Sequence, residues 1–397
     1  MKIYSERIYV PEGVISGTIT VSDGKITAIE KGIKDADAID YGNHRVIPGI
    51  FDTHNHGTCG FDPANGQHLP KEQAKQQIRG YLKGLASQGV TSIFPTVVES
   101  DALSNIAEVA EEHEAIGAEI LGIHSEGPWL NRVGEKGIRT GWPEISVEKA
   151  KKMVSDSKGW LKLVAIAPEI PGAYEVIEYF LSQGITVAAA HSDNHYKEAM
   201  EGYAKGISVA THLGNVMTDI HHRDVGGIGA GLLNDAVTCE MICDGMHNCN
   251  EMLQIYMKVK DHDKLMMISD CTPLSGAPVG NYTAFGMDVH ITKEGFVLTD
   301  TGRLLGSSQP VIYGIKNLVN NLHVPLEECL KMACLNPSKK YGFADTKGTI
   351  ETGKDGDIVV IDDDYNILYT YSKGTLVYDK EADGTIFNQP YIDAIRK

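Results

Sequence analysis

The chain has 397 residues, of which 42% are hydrophobic and 22% charged, and 36 Lys and Arg against 53 Asp and Glu leave a formal net charge of −17. That balance disfavours non-specific binding to nucleic acid or to anionic membrane surfaces, and an anionic small substrate would need a local cationic pocket. The N-terminal MKIYSERIYVPEG lacks the apolar core of a signal peptide, and no run approaches the roughly 18 apolar residues of a membrane helix, so a soluble, cytoplasmic protein is expected. Seven scattered cysteines argue for reduced thiols; Cys239 and Cys243, in an apolar strand-like run, read as small core residues.

In chain order, the first 45 or so residues alternate as short strands, with an Asp-Gly turn at Asp23-Gly24 between TITV and ITAI. From Val46 the rhythm changes to strand, helix, strand. Eight runs can be parallel strands: RVIPGIFDTHNH, VTSIFPTV, AEILGIHSEG, LKLVAIAPEI, ITVAAAHS, ISVATHLGN, VTCEMICDGMH and KLMMISDCT. Helical stretches such as KEQAKQQIRGYLKGLASQG, LSNIAEVAEEHEAIG, AYEVIEYFLSQG, YKEAMEGYAKG and EMLQIYMKVKD separate several of them. Eight such units are what closing a (β/α)₈ barrel requires. After Asp270 come a Gly- and Pro-containing stretch, a hairpin in MDVHITKEGFVLTD, a helical pair ending near YGFADTKG, and an alternating tail. The expected architecture is a barrel over 46–345 with a small β-sandwich built from 1–45 and 346–397.

The chemistry sits where the apolar runs end. His54 and His56 close the first run, Glu126 the third, His191 the fifth, His212 the sixth and Asp270 the eighth. On an extended strand two residues apart face the same way, so both imidazoles of His-x-His point into one barrel mouth. An isolated His-x-His is usually a pair of loop histidines; here the matching residues on other strands weigh against that. Glu126 is followed by strand-breaking Gly127-Pro128, and a carboxylate, unlike an imidazole, can bridge two cations. His124, two residues earlier, is read as a supporting or packing histidine. The set suits Zn²⁺ or Fe²⁺, as one closed and one open site or as a bridged pair. Asp270 is placed to take a proton from water made acidic by such an ion and to pass it to a leaving group.

Over nearly the whole chain, from PGIFDTHNHG through HSEGPWLN, AAAHSD, THLGNVM, DGMH, ISDCT and LLGSS to KGTIETGKDGDIVV, the sequence resembles the amidohydrolase superfamily and, within it, the N-acetylglucosamine-6-phosphate deacetylases. The resemblance implies a homodimer that hydrolyses the acetamide of an amino-sugar phosphate in amino-sugar catabolism. It implies Glu126, His191 and His212 as the principal metal ligands, His54 and His56 as a second site with Glu126 bridging, and Asp270 as the acid/base. By the same resemblance Asn215 and Val216 contact the phosphate region, Arg223 takes the phosphate, His247 within Asp244-Gly245-Met246-His247 lies near the substrate carbonyl and sugar, and Leu304-Leu305-Gly306 lines the sugar. Two departures touch the identity of the sugar. Ile138-Arg139 stands where a histidine is common at the second position, and Gly214 replaces a usual tyrosine. The same fold acting on N-acetylgalactosamine-6-phosphate or another amide, and more remotely a non-catalytic metal-binding scaffold, are the rival readings.

Overall fold

The computed structural model describes residues 1–64, 69–97, 102–131, 143–284 and 286–397. Eight parallel strands form one curved sheet in chain order: Ile50–Asn55, Val90–Val97, Ile123–Glu126, Leu161–Ile166, Thr186–Ala189, Val209–Ala210, Thr238–Ile242 and Leu265–Ile268. Glu119–Ile120 adds to the second of them. The last strand meets the first across the seam, where Asp270 N donates to His54 O at 2.8 Å. Buried Asp52 locks the same seam by accepting from Ser269 N at 3.2 Å and Ser269 Oγ at 2.5 Å. The predicted barrel is therefore the observed fold.

Burial on both faces explains why these runs are so uniformly apolar. Inside, Phe51, Phe94, Leu163, Ala165, Ala188, Val209 and Met266 pack together, with Tyr341 and Phe343 against them. Outside, helices lay one apolar stripe on the sheet. In Lys71–Ala86 the stripe is Ala74, Ile78, Tyr81, Leu82 and Leu85, at the spacing of a 3.6-residue turn.

Two runs read as single strands divide. Gly49 separates Arg45–Pro48, which joins the terminal β sheet, from Ile50–Asn55 in the barrel; any Cβ at Gly49 would collide with the Thr91 side chain, so only glycine lets the chain cross between the layers. AEILGIHSEG likewise breaks between Ile120 and Ile123. The terminal sheet runs Thr375–Asp379, Ile367–Ser372, Ile358–Ile361, Arg45–Pro48, Lys2–Val10, Gly13–Ser22 and Lys25–Lys31, with Ile39–Asp40 beside Lys2–Val10. Both chain ends thus build one β layer around Ile3, Ile8, Ile19, Val46, Ile358 and Val360. Lys347, with Glu119, Asp355 and Asp357 around its ammonium, ties this layer to the barrel.

The predicted hairpin is Met287–Ile291 with Val297–Thr299, and a third strand, Gly280–Ala284, pairs on its other side. The segment Gly226–Leu233 is helical although GGIGAGLL is poor in helix formers. Its glycines let it lie close to the barrel, and the buried Lys260 ammonium caps it, donating to the carbonyls of Gly231 at 2.9 Å and Asn234 at 2.5 Å. All seven cysteines are free thiols, and Cys239 and Cys243 are buried. Among the described residues no helix is long and apolar enough to cross a membrane.

Candidate metal centre

The strand ends deliver their polar residues to one place. His54 lies in the first barrel strand and His56 just past its end, Glu126 is the last residue of the third, and His191, His212 and Asp270 each follow their strand by two residues. His191, His212 and Asp270 all have positive φ, at 47°, 30° and 51°. Side-chain-bearing residues rarely adopt that conformation, and here it ends three of the ligand-bearing strands in the same way.

Glu126 is the hub. Its Oε1 lies 3.0 Å from His212 Nε2, 3.1 Å from His191 Nε2 and 3.6 Å from His54 Nε2, while Oε2 lies 3.1 Å from His56 Nε2. The imidazoles also crowd one another: His212 and His191 Nε2 are 3.2 Å apart, and His54 and His56 Nε2 are 3.3 Å apart. Donors around a tetrahedral ion with metal–nitrogen distances of about 2.0–2.1 Å are separated by ~3.3 Å, so these spacings fit cation ligation. Two groups could each hold an ion, His54 with His56 and Glu126, and Glu126 with His191 and His212. Asp270 Oδ1 lies 3.4 Å from both His54 and His56 Nε2.

The field of the cluster favours positive charge. Burial lowers the pKa of His54, but the carboxylates of Asp270 and Glu126 outweigh it and hold the imidazole well above its ordinary value. Burial alone would raise Glu126, yet His191 and His54 pull it well below the carboxylate range. His124 differs: burial and neighbouring His54 push its pKa far down, so it is a neutral imidazole, with Nδ1 3.2 Å from Thr96 Oγ1.

Beside the metal-type ligands, Asp244 and His247 form a pair. Asp244 is buried and accepts from Met246 N at 2.8 Å and His247 N at 2.9 Å, and its Oδ2 lies 2.6 Å from His247 Nδ1. Burial disfavours charge on His247, but the Asp244 contact prevails and raises its pKa. The Leu304-Leu305-Gly306 segment reaches the same rim, because Ser307 N donates to Asp270 O at 2.9 Å. Asn215 folds back on the His212 carbonyl, and the Val216 carbonyl accepts from Ser192 N at 3.1 Å. Arg223 is exposed on the loop after the sixth strand, its guanidinium 2.9 Å from His222 Nε2. Ile138 and Arg139 lie outside the described residues.

A model of the amidohydrolase family matches residues 45–377. The chain belongs to the amidohydrolase family. The chain is similar to the N-acetylglucosamine-6-phosphate deacetylase of Vibrio furnissii, with 34% identity over 91% of this chain and 90% of that one. It is 28% identical to the N-acetylgalactosamine-6-phosphate deacetylase of Escherichia coli O157:H7, over 94% of this chain and 98% of that one. Among solved structures, the N-acetylglucosamine-6-phosphate deacetylase of Pasteurella multocida superposes with a TM-score of 0.81 at 27% identity, covering 95% of this chain and 99% of that one.

Two residues of this amidohydrolase acquire a meaning that their sequence context hid. Gly214 has φ +90°, and a Cβ there would collide with Tyr256 OH and Asn248 Oδ1, which are hydrogen-bonded to each other at 3.1 Å. The departure from tyrosine thus faces the helix Asn250–Val259 and not the metal-type ligands. Glu240, in the middle of the seventh strand, is fully buried with Oε2 3.4 Å from His54 Nδ1. The only sequence signal was an acid inside the apolar run VTCEMIC.

Proposed function

We propose that the chain is a metal-dependent deacetylase that hydrolyses the acetamide of N-acetylglucosamine-6-phosphate to glucosamine-6-phosphate and acetate. The observation that carries this reading is the meeting of Glu126, four imidazoles and Asp270 at one barrel mouth in an amidohydrolase similar end to end to proteins bearing that name. Glu126, His191 and His212 would hold one divalent ion, and His54 and His56 a second that shares Glu126. The donors suit Zn²⁺ and Fe²⁺ alike. When bound, such an ion polarises a carbonyl and lowers the pKa of water towards about 7.

The chain's own groups supply the rest. Asp270, at the rim beside His54 and His56, takes a proton from the attacking water and returns it to the amide nitrogen as the carbon–nitrogen bond breaks. His247, whose ring is held by Asp244 and whose pKa that contact raises against burial, donates to the carbonyl oxygen as negative charge grows there. Asn215 and Val216 would contact the phosphate region and Leu304, Leu305 and Gly306 would line the sugar, with Ile138 and Arg139 assigned to substrate binding by resemblance. Arg223 receives the phosphate, the local positive charge that a chain of net charge −17 needs for an anionic substrate. The reading includes a catalytic barrel over 46–345, a small terminal β unit of 1–45 and 346–397 whose sheet also takes in the strand Arg45–Pro48, and a cytoplasmic homodimer.

Acetate release from a panel of N-acetylated hexosamines, with and without a 6-phosphate, on metal-analysed protein tests the function. Turnover of the glucosamine derivative above the galactosamine one is expected; the reverse order would make the chain a counterpart of the E. coli O157:H7 relative. In the same assay Arg223→Ala raises KM for the phosphorylated substrate about 10- to 100-fold, the worth of a charged hydrogen bond, and leaves unphosphorylated substrates unchanged. An unchanged KM for both would remove the phosphate from Arg223.

A further inference from the structure

We propose that Glu240 is the positioning residue of the second ion: its carboxylate holds His54 as the Nδ1–H tautomer and so commits Nε2 to the cation. The inference rests on the two-ion reading above. Glu240 points from the seventh strand into the barrel interior, where its Oε2 lies 3.4 Å from His54 Nδ1 and its Oε1 accepts from Thr53 Oγ1 at 3.3 Å. His54 is wholly buried, and its Nε2 is the atom that faces His56, Glu126 and Asp270. An imidazole with a carboxylate behind Nδ1 carries its proton there and presents a lone pair at Nε2. By contrast, buried His212 Nδ1 has no hydrogen-bond partner among the described residues, so a carboxylate at this depth is no general feature of the cluster's imidazoles.

Stability does not account for Glu240. A fully buried carboxylate is costly to desolvate, and its two side-chain contacts here are both long. Among the described residues its one ion-pair partner is His54 itself; burial lowers the pKa of Lys340, whose ammonium donates to Ser208 O at 3.1 Å and Ser208 Oγ at 2.9 Å, and the field of Glu240 only opposes that shift. The presence of an acid at this buried position is explained by what it does to His54.

The test is titration of metal-free protein with Zn²⁺ against a competing chelator, in wild type, Glu240→Leu, Glu240→Gln and His54→Ala. Wild type takes two ions. Glu240→Leu keeps the tighter ion and weakens the other about 10- to 100-fold, resembling His54→Ala, while its metal-free Tm equals or exceeds that of wild type. Glu240→Gln, which keeps an acceptor for Nδ1–H but not the charge, recovers part of the loss and serves if the leucine variant does not fold. Two ions of unchanged affinity in both variants, or equal loss of both ions, overturns the role of Glu240 and leaves the two-ion reading standing. A wild type that takes one ion overturns the two-ion reading and this role together.

Discussion

Asp270→Asn should lower kcat for acetamide hydrolysis by about 10²- to 10⁴-fold, the usual contribution of a positioned acid/base, with metal content and KM nearly unchanged. The substitution is a clean one because of the backbone. Asp270 sits at φ 51°, a conformation that asparagine shares with aspartate more readily than other residues, so the turn after the eighth strand survives. Its N–H still closes the barrel seam on the His54 carbonyl, and its carbonyl still receives Ser307 N, because both are backbone bonds. What changes is one oxygen 3.4 Å from two imidazoles, which becomes or faces an amide unable to take a proton. Steady-state kinetics with parallel metal analysis read the outcome. Turnover within about tenfold of wild type at full metal content would transfer the proton to another group.

The visible part of this protein in its sequence was the part that interrupts a pattern. His54, Glu126, His191, His212 and Asp270 stand out because each is polar at the end of an apolar run, and the fold brings all of them together. Glu240 does not stand out, since a single acid inside VTCEMIC reads as an interruption of a strand until the third dimension puts His54 behind it. The clamp of Asp52 on Ser269 joins residues at opposite ends of the barrel sequence, a pairing that local periodicity does not carry. The helix Gly226–Leu233 was hidden for the opposite reason: its sequence opposes helix, and packing together with the Lys260 cap overrides it. The break at Gly49 is legible only once Thr91 is known to lie against it.

Lys347→Met should destabilise the protein by about 3–5 kcal/mol near neutral pH, the cost of removing one partner from a buried ion pair. The ammonium lies 2.7 Å from Glu119, 2.9 Å from Asp355 and 2.7 Å from Asp357, and Lys347 is only 4% exposed. Burial works against its charge, but Asp357, Glu119 and Asp355 outweigh that and raise its pKa. A group so raised contributes stability that is complete below its ordinary pKa of 10.5 and is lost only as pH climbs through the higher folded value. Burial raises Glu119 and Asp355, yet the lysines around them prevail and both end below their ordinary 4.5 and 3.8; their contribution is therefore present above those values and disappears as pH falls below them. Asp357 has the opposite sign, since burial leaves it above 3.8 in spite of Lys347. In the variant all three carboxylates lose the buried cation and bind protons more readily, so its deficit is greatest at pH 8 and shrinks towards pH 4, where protonation relieves the repulsion. Thermal unfolding of both proteins at the two pH values checks this. An equal deficit at pH 4 and pH 8 would mean that Lys347 acts through the packing of its methylenes and not through its charge.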